Sequence, residues 1–457
     1  MKTLVSEKSN SRKLKSNRLF VIFITLFAFH QAVTAQDWHQ FLGPDRNHTS
    51  PQKGLLRSWP DSGPELLWSV NVGRGYGGPV VKNGKVYLLD RDDEVGDIMR
   101  CFSLQTGEEL WKFNYDSPGE LPFPGSRSVP IVDDRHVYAN GPNGELYCID
   151  INTHQLVWIK NVWTDFKGTR LPTWGISQSP LIYGNLLIIA SQAPEAGVVA
   201  YDKVSGNMVW KTPKIGDAGV TDNYVSPKLL KIYGEDHIVI ISSSSMGRGD
   251  SQRTMGKVAG IDPRTGSILW QYANWDCHIS VPCAVDAGDN RLLIAGGYER
   301  GATMIQITRK EDGSFETSEL FTTLDFGDQT KPPLLYDGYF YAMYRTNSKR
   351  EGLVCMDMEG KIMWKTGRNP DFDRGSMILA DGLILATDGL NSLYLIEPSP
   401  EAFKPISKAT PLREGEASTE GMSAVGGSTQ NWGPMALADG KLLVRDQSRL
   451  ICLKIAK

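Results

Sequence analysis

An all-β fold, an eight-bladed β-propeller of four-stranded antiparallel blades, is what this 457-residue sequence predicts, on three observations. A turn followed by a tryptophan recurs: TGEELW (106–111), SGNMVW (205–210), TGSILW (265–270) and EGKIMW (359–364). Short strands marked by proline open each unit. Runs of four to eight β-branched and aromatic residues fill the rest, and almost nothing shows the period of an amphipathic helix.

In chain order, residues 1–35 read as an export signal. Lys2, Lys8, Arg12, Lys13, Lys15 and Arg18 form a basic start, and LFVIFITLFAF (19–29) is an apolar run of eleven. That is too short to span a bilayer as a helix, and VTA (33–35) supplies small residues before Gln36. No cysteine follows the run to take a lipid, so a periplasmic or secreted protein without a membrane span is expected. Removing residues 1–35 leaves 43 basic against 51 acidic residues, a net charge of about −8. A nucleic-acid partner needs a basic face, so that class is set aside. Residues 36–60 are expected to form an irregular N-terminal strap, and 61–457 a single propeller domain, with a monomer as the expected state.

The repeat is read from Trp68, Trp111, Trp158, Trp210, Trp270 and Trp364, whose gaps are 43, 47, 52, 60 and 94 residues. The last gap is a doubled repeat with one tryptophan missing, and a period near 45–50 residues belongs to propeller arrays. The opening strands are GGPVV (77–81), SVPIV (128–132), QSPLI (178–182), VSPKLL (225–230), SVPCAV (280–285), KPPLL (331–335), RGSMIL (374–379) and WGPMAL (432–437). These are eight blades. The last has only three strands, and GPELLWSVNV (63–72) supplies the fourth, which removes the free edges of an open array. Blades five and seven depart from the pattern, with EDGSFETSELF (311–321) and EPSPEAFKPI (397–406) in place of the turn and tryptophan. The six tryptophans are expected to be structural, each bridging to a neighbouring blade with its N–H on a polar partner. Cys101 and Cys148 occupy a register where other repeats carry Ala200 and Gly260, which marks a small buried packing position. Only Cys277 and Cys283 are close enough in sequence to raise local pairing.

The G-x-x-x-W unit, above all IDPRTGSILW (261–270), together with WHQFLGPDRNHTS (38–50), resembles the pyrroloquinoline-quinone (PQQ)-like β-propeller repeat family of exported bacterial proteins. That family includes quinoprotein dehydrogenases and a cofactor-free scaffold of outer-membrane protein assembly. For the dehydrogenases the resemblance implies PQQ and Ca²⁺ in the funnel, an adjacent pair of cysteines and an aspartate base. It places Asp276, in NWDCH (274–278), in the kind of loop that carries the base. This chain has no adjacent cysteines and no C-x-x-C-H.

In a four-stranded blade the lead-in loop and the loop between the second and third strands share one face. The lead-in loops offer Tyr76, Arg127, Trp174, Tyr224, His278, Lys331, Arg374 and Trp432 as candidate ligand-binding residues. Aromatic rings and cations around one mouth suit a sugar, an anionic small molecule or a peptide. Other motifs are set aside. GRGYGG (73–78) runs into a proline and a strand, not a helix. DRDDEVGD has its glycine one place late for a calcium loop, and the six histidines beyond the signal are scattered. No G-x-S-x-G elbow occurs. The expectation is a non-enzymatic binding or scaffold propeller for a protein, glycan or small-molecule ligand, with no cofactor and no metal. The alternative is a PQQ- and Ca²⁺-dependent alcohol or sugar dehydrogenase with Asp276 as its base.

Overall fold

The computed structural model describes residues 37–121, 123–217, 219–246, 253–346, 348–413 and 430–457. The expected export signal, residues 1–35, lies outside them. Eight antiparallel sheets follow one another around the ring, and among the described residues the one helical element is a single 3-10 turn, Thr164–Phe166. Blade 1 shows the plan: Val80–Lys82, Lys85–Asp92, Gly96–Ser103 and Glu109–Asn114 run from the innermost to the outermost strand. Blade 8 takes three strands from the C-terminus, and Glu65–Asn71 pairs with Arg449–Lys454 as its outermost strand, so the two chain ends close the ring. Blade 7 departs from the four-stranded expectation. It gains a fifth strand, Thr49–Ser50, which pairs in parallel with Met377–Ala380.

The repeated glycine and tryptophan meet across blades, not within one repeat. Trp158 of blade 2 lies on Gly206 of blade 3, and its Nε1 donates to the Lys203 carbonyl at 3.2 Å. Trp68 lies on Gly107 and donates to Leu104, and Trp210 lies on Gly266 and donates to Pro263. In these turns a Cβ on the glycine would stand 2.6–2.8 Å from the indole, and φ is 71–75°. Glycine thus supplies both the backbone angle and the seat. Blade 2 carries His154 at the seat with φ 61°, and its imidazole stacks on Trp111 at 5.0 Å.

Blade 5 has no such seat, and Trp270 turns inward instead. Its Nε1 donates to His237 Nδ1 of its own blade at 3.0 Å, and the indole covers Gly260, where a Cβ would sit 2.1 Å from the ring. Phe321 takes the tryptophan's place on blade 5 and lies on Gly360 of blade 6. Each tryptophan also pairs across its own sheet with a small residue: Trp68 with Cys452, Trp111 with Cys101, Trp158 with Cys148, Trp210 with Ala200, Trp364 with Cys355. This explains four of the six cysteines. All six are buried and free, Cys277 and Cys283 included.

The opening strands are tied to one another by their serines. Val129 N–H donates to Ser179 Oγ at 3.1 Å, and Ser179 N–H donates to Ser226 Oγ at 2.8 Å. The Met435 N–H donates to Ser376 Oγ at 3.3 Å in blades 8 and 7. The N-terminal strap runs across these inner strands and touches nearly every blade. Trp38 exchanges two backbone hydrogen bonds with Val81, and the His39 carbonyl accepts from Val132. Arg46 donates to Pro180 and Ser179, and His48 meets the Met377 carbonyl. The strap's Trp38 and Leu42, 2 % and 1 % exposed, are core residues.

Candidate functional site

The lead-in loops and the loops between second and third strands bring two aromatic groups to one mouth. In the first, the Tyr76 ring lies 5.7 Å from Phe123 and 5.7 Å from Trp432. The Tyr76 hydroxyl donates to Gln430 Oε1 at 2.7 Å. The Arg374 guanidinium covers the Trp432 ring at 4.9 Å, and both residues bond to the buried Asp373 carboxylate. A cation over an indole face holds both groups in one orientation.

In the second group, Trp174 lies 5.1 Å from Tyr224 and 6.5 Å from Tyr298, the latter pair within 18° of parallel. His278 meets Tyr298 at 5.1 Å. The Tyr224 hydroxyl is fixed from both sides, donating to Asp222 Oδ1 at 2.7 Å and accepting the Trp174 backbone N–H at 3.1 Å. Two guanidinium groups act on both aromatic groups through their charge. The charge of Arg127 is felt by Tyr76 and Tyr224, and that of Arg374 by Tyr298. Arg127 itself donates only to the Gly125 and Phe123 carbonyls.

Burial sets the protonation states. It pushes the Tyr76 and Tyr298 phenols up to about 12 and raises that of Tyr224, so all three stay neutral hydrogen-bonding groups. Burial also lowers Arg127 to about 10, which leaves it charged at neutral pH. His278 is lowered by burial and by the charges of Arg300 and Arg253, which favours its neutral ring. Four polar atoms of this face, Trp174 Nε1, His278 Nδ1, Arg300 Nε and Arg374 Nε, have no hydrogen-bond partner among the described residues. Such atoms cost about 1–3 kcal/mol each when left unmet.

Of the eight sequence candidates, seven line this mouth, although Tyr224 presents little surface at 3 % exposed. Lys331 does not. It is 6 % exposed, and its Nζ is taken up by the Trp432 carbonyl at 2.6 Å and Thr330 Oγ1 at 3.2 Å. Sequence reasoning passed over Tyr298, the residue that touches both Trp174 and His278. Its signal was the GGYERG loop (296–301), where Tyr298 and Glu299 both hold positive φ, 55° and 62°. Consecutive non-glycine residues in that region are held only by their surroundings, and such strain gathers at working surfaces.

Asp276 also faces this side, 35 % exposed. Its Oδ1 accepts from Ser244 and Arg253, and its Oδ2 from Arg300 at 3.2 Å. Both oxygens are engaged. Among the described residues no three His, Cys, Asp or Glu side chains gather as a cation would require. The donor set around Asp276, two arginines and a serine, is therefore the reverse of a calcium shell, which needs several carboxylate or carbonyl oxygens. A separate cleft of about 520 Å³ lies at the seam of blades 8 and 1, between Arg74 and Gln447. Two of its arginines are already paired, Arg91 with Asp97 and Arg100 with Asp90.

A family model described as outer membrane protein assembly factor BamB matches residues 49–219 and 95–312, which together span more than half of the chain. Among curated proteins, the quinoprotein alcohol dehydrogenase PedH of Pseudomonas putida is 27 % identical over 64 % of this chain and 49 % of its own length. The assembly factor BamB of Burkholderia pseudomallei is 24 % identical over 60 % of this chain and 64 % of its own. The chain thus spans about half the length of the dehydrogenase it matches. Among solved structures, a europium-containing methanol dehydrogenase superposes with a TM-score of 0.62 at 13 % identity, covering 92 % of this chain and 89 % of that one. BamB from Moraxella catarrhalis superposes at 0.54 and 13 % identity, covering 86 % and 97 %. At those identities the likeness is one of fold.

Proposed function

Starting from a chain that belongs to the BamB-type family of PQQ-like repeat propellers, we propose that it is a non-catalytic binding protein whose mouth takes an acidic glycan. One observation carries this reading: two aromatic groups, Tyr76–Trp432 and Trp174–Tyr298, stand on the lead-in face with Arg374 stacked on Trp432 and the charge of Arg127 felt by Tyr76 and Tyr224. Flat aromatic faces stack on the apolar faces of sugar rings. The cations select for carboxylates. Arg127 answers only to carbonyls, and Arg253 and Arg300 share the single Asp276 carboxylate. An anionic ligand would meet this unanswered charge at a chain whose overall balance is −3. The unmet N–H groups of Arg300, Arg374 and Trp174 support a ligand rich in acceptor oxygens.

The test is a glycan array holding uronate-bearing oligosaccharides beside neutral ones of the same linkage. Preferential binding of the uronates, lost in Arg127→Met and Trp174→Ala, is expected. Equal binding of neutral and acidic sugars, or no binding, overturns it, and capture of a protein partner in its place would point to a scaffold.

A second reading, a quinoprotein dehydrogenase with Asp276 as base, draws on the 27 % identity to PedH. When bound, PQQ would supply a two-electron acceptor. Trp174 and Tyr298 are the planar faces able to hold such a ring, and Asp276 the nearby carboxylate. The oxygens of Asp276, engaged by Ser244, Arg253 and Arg300, count against it. Titration with micromolar PQQ and Ca²⁺, followed by alcohol-dependent dye reduction, separates the two. Turnover would replace the binding reading.

A further inference from the structure

The cleft of about 520 Å³ at the seam of blades 8 and 1 has no part in the binding reading of the mouth. The chain passes along it from Asn71 to Arg74, where blade 8 hands over to blade 1. Gln447 of blade 8 and Asp92 of blade 1 also line it, and the buried side chains of Val72 and Ile98 make part of it apolar. No lining residue is aromatic, so the ring stacking offered at the mouth does not extend here.

Two of its three arginines are fixed. Arg91 donates to Asp93 at 2.8 Å and to Asp97 at 3.0 Å, and Arg100 donates to Asp90 at 2.7 Å and to Glu109 at 2.6 Å. Asp90 also accepts the Gly73 N–H at 2.6 Å, which ties the lead-in of blade 1 to the sheet. Each of these two cations has two carboxylates on it. The surplus of negative charge disfavours a simple anion in the cleft.

Arg74 and Asp92 are the exceptions. Both are exposed, both line the cleft, and neither forms an ion pair among the described residues. Arg74 lies opposite Arg91, the neighbour of Asp92, in an antiparallel bridge. Paired Cα atoms in such a bridge stand about 4.5–5.5 Å apart. Successive residues of a strand point to opposite faces, so the two side chains do not close on each other. The Asp92 carboxylate accepts only the Glu94 N–H, at 3.0 Å. Gln447 Nε2 is taken by the Gln430 and Gly75 carbonyls, which leaves its Oε1 as a further acceptor.

We propose that this cleft binds a short zwitterionic peptide, of two or three residues with an apolar side chain, between Arg74 and Asp92. The Arg74 guanidinium would take the terminal carboxylate with two parallel N–H donors, and Asp92 the terminal ammonium. Gln447 Oε1 would accept a further N–H, and Val72 and Ile98 would cover the apolar side chain. An extended dipeptide spans about 7 Å, a length that two side chains rooted on neighbouring positions can embrace. The volume lies in the range of sites for ligands of this size, about 300–1,000 Å³, and exceeds what a single ion needs. A ligand with one charge alone would answer Arg74 or Asp92 but not both.

Calorimetric titration of the purified protein with leucyl-leucine tests it. Saturable binding is expected, weakened about tenfold or more in Arg74→Met and in Asp92→Asn. Each substitution should lose its effect once its ligand group is blocked. N-acetyl-leucyl-leucine should thus bind wild type and Asp92→Asn alike, and leucyl-leucine amide wild type and Arg74→Met alike. No saturable binding at millimolar dipeptide overturns the proposal, and so does equal binding by wild type and both variants. Free leucine bound as tightly as the dipeptide would overturn the peptide class. Should either variant fail to fold, the wild type decides: equal affinity for the free and the two blocked dipeptides overturns the proposal. Neither result bears on glycan binding at the mouth, which is read with uronates and other variants.

Discussion

Gly206 of blade 3 is the seat of Trp158 of blade 2: a Cβ on the glycine would stand 2.8 Å from the indole, whose N–H reaches the carbonyl of Lys203 in the same turn. Substituting Gly206→Ala therefore forces a non-glycine residue to φ 71° and pushes the indole out of its seat. A loss of about 2–3 kcal/mol is expected from the two effects together. Urea unfolding checks it, and a loss under about 0.5 kcal/mol would mean that the seat yields freely.

Trp270 offers the contrasting case, because it packs on its own blade. Trp270→Ala should cost about 3 kcal/mol or more while leaving ligand affinity at the mouth unchanged. Gly260→Ala should be nearly as damaging, since the indole lies where the new methyl would go. A selective loss of binding in either variant would place Trp270 at the mouth after all.

Cys101, Cys148, Cys355 and Cys452 stand opposite tryptophans, and all six cysteines are free. Burial pushes the Cys101, Cys148 and Cys452 thiols up to about 12 and Cys355 to about 11, far from the reactive thiolate. A thiol reagent is expected to label none of these four in the native protein and all six cysteines in denaturant. Cys148→Ala should cost under about 1.5 kcal/mol, and Cys148→Leu more, through collision with Trp158.

Tyr298 joins Trp174 to His278 across the mouth. Tyr298→Ala is expected to weaken glycan binding about tenfold or more, as loss of one well-packed aromatic contact does. The melting temperature should move little, or rise when Tyr298→Gly relieves the positive φ. Binding calorimetry beside a thermal melt separates the two effects.

His48 predicts an acid limb. Burial, then the charges of Lys228 and Lys331, push its imidazole down to about 3, against carbonyls of Met377 and Pro332 that pull the other way. The unfolded chain takes up this proton near 6.5, and the fold does not until about 3. Stability is thus present above pH 6.5 and falls as pH drops toward 3, by about 1.4 kcal/mol per unit for this group. His48→Gln should flatten that slope, read by urea unfolding across this pH range.

Much of the fold was legible in the residues because a repeat writes its packing many times over. The spacing of Trp68, Trp111, Trp158, Trp210, Trp270 and Trp364 carried the blade count, and the orphan strand at 63–72 announced the closure. The mouth was legible as a set of loops but not as a site. Tyr298 stood in a loop without periodicity, and its contacts come from blades 3 and 5, more than a hundred residues apart in the case of Trp174.

What the sequence determined alone were the local terms: strand period, turn glycines, and small residues where an indole must lie. These depend on neighbours a few positions away. Tertiary structure alone decided which blade each tryptophan leans on, that Trp270 turns inward, and that the strap crosses the inner strands with Arg46 and His48 buried beneath the mouth. Those outcomes depend on what the next blade offers, a glycine seat or none, and on where the ring leaves room for charge. Ring closure sets both, and no stretch of the chain contains it.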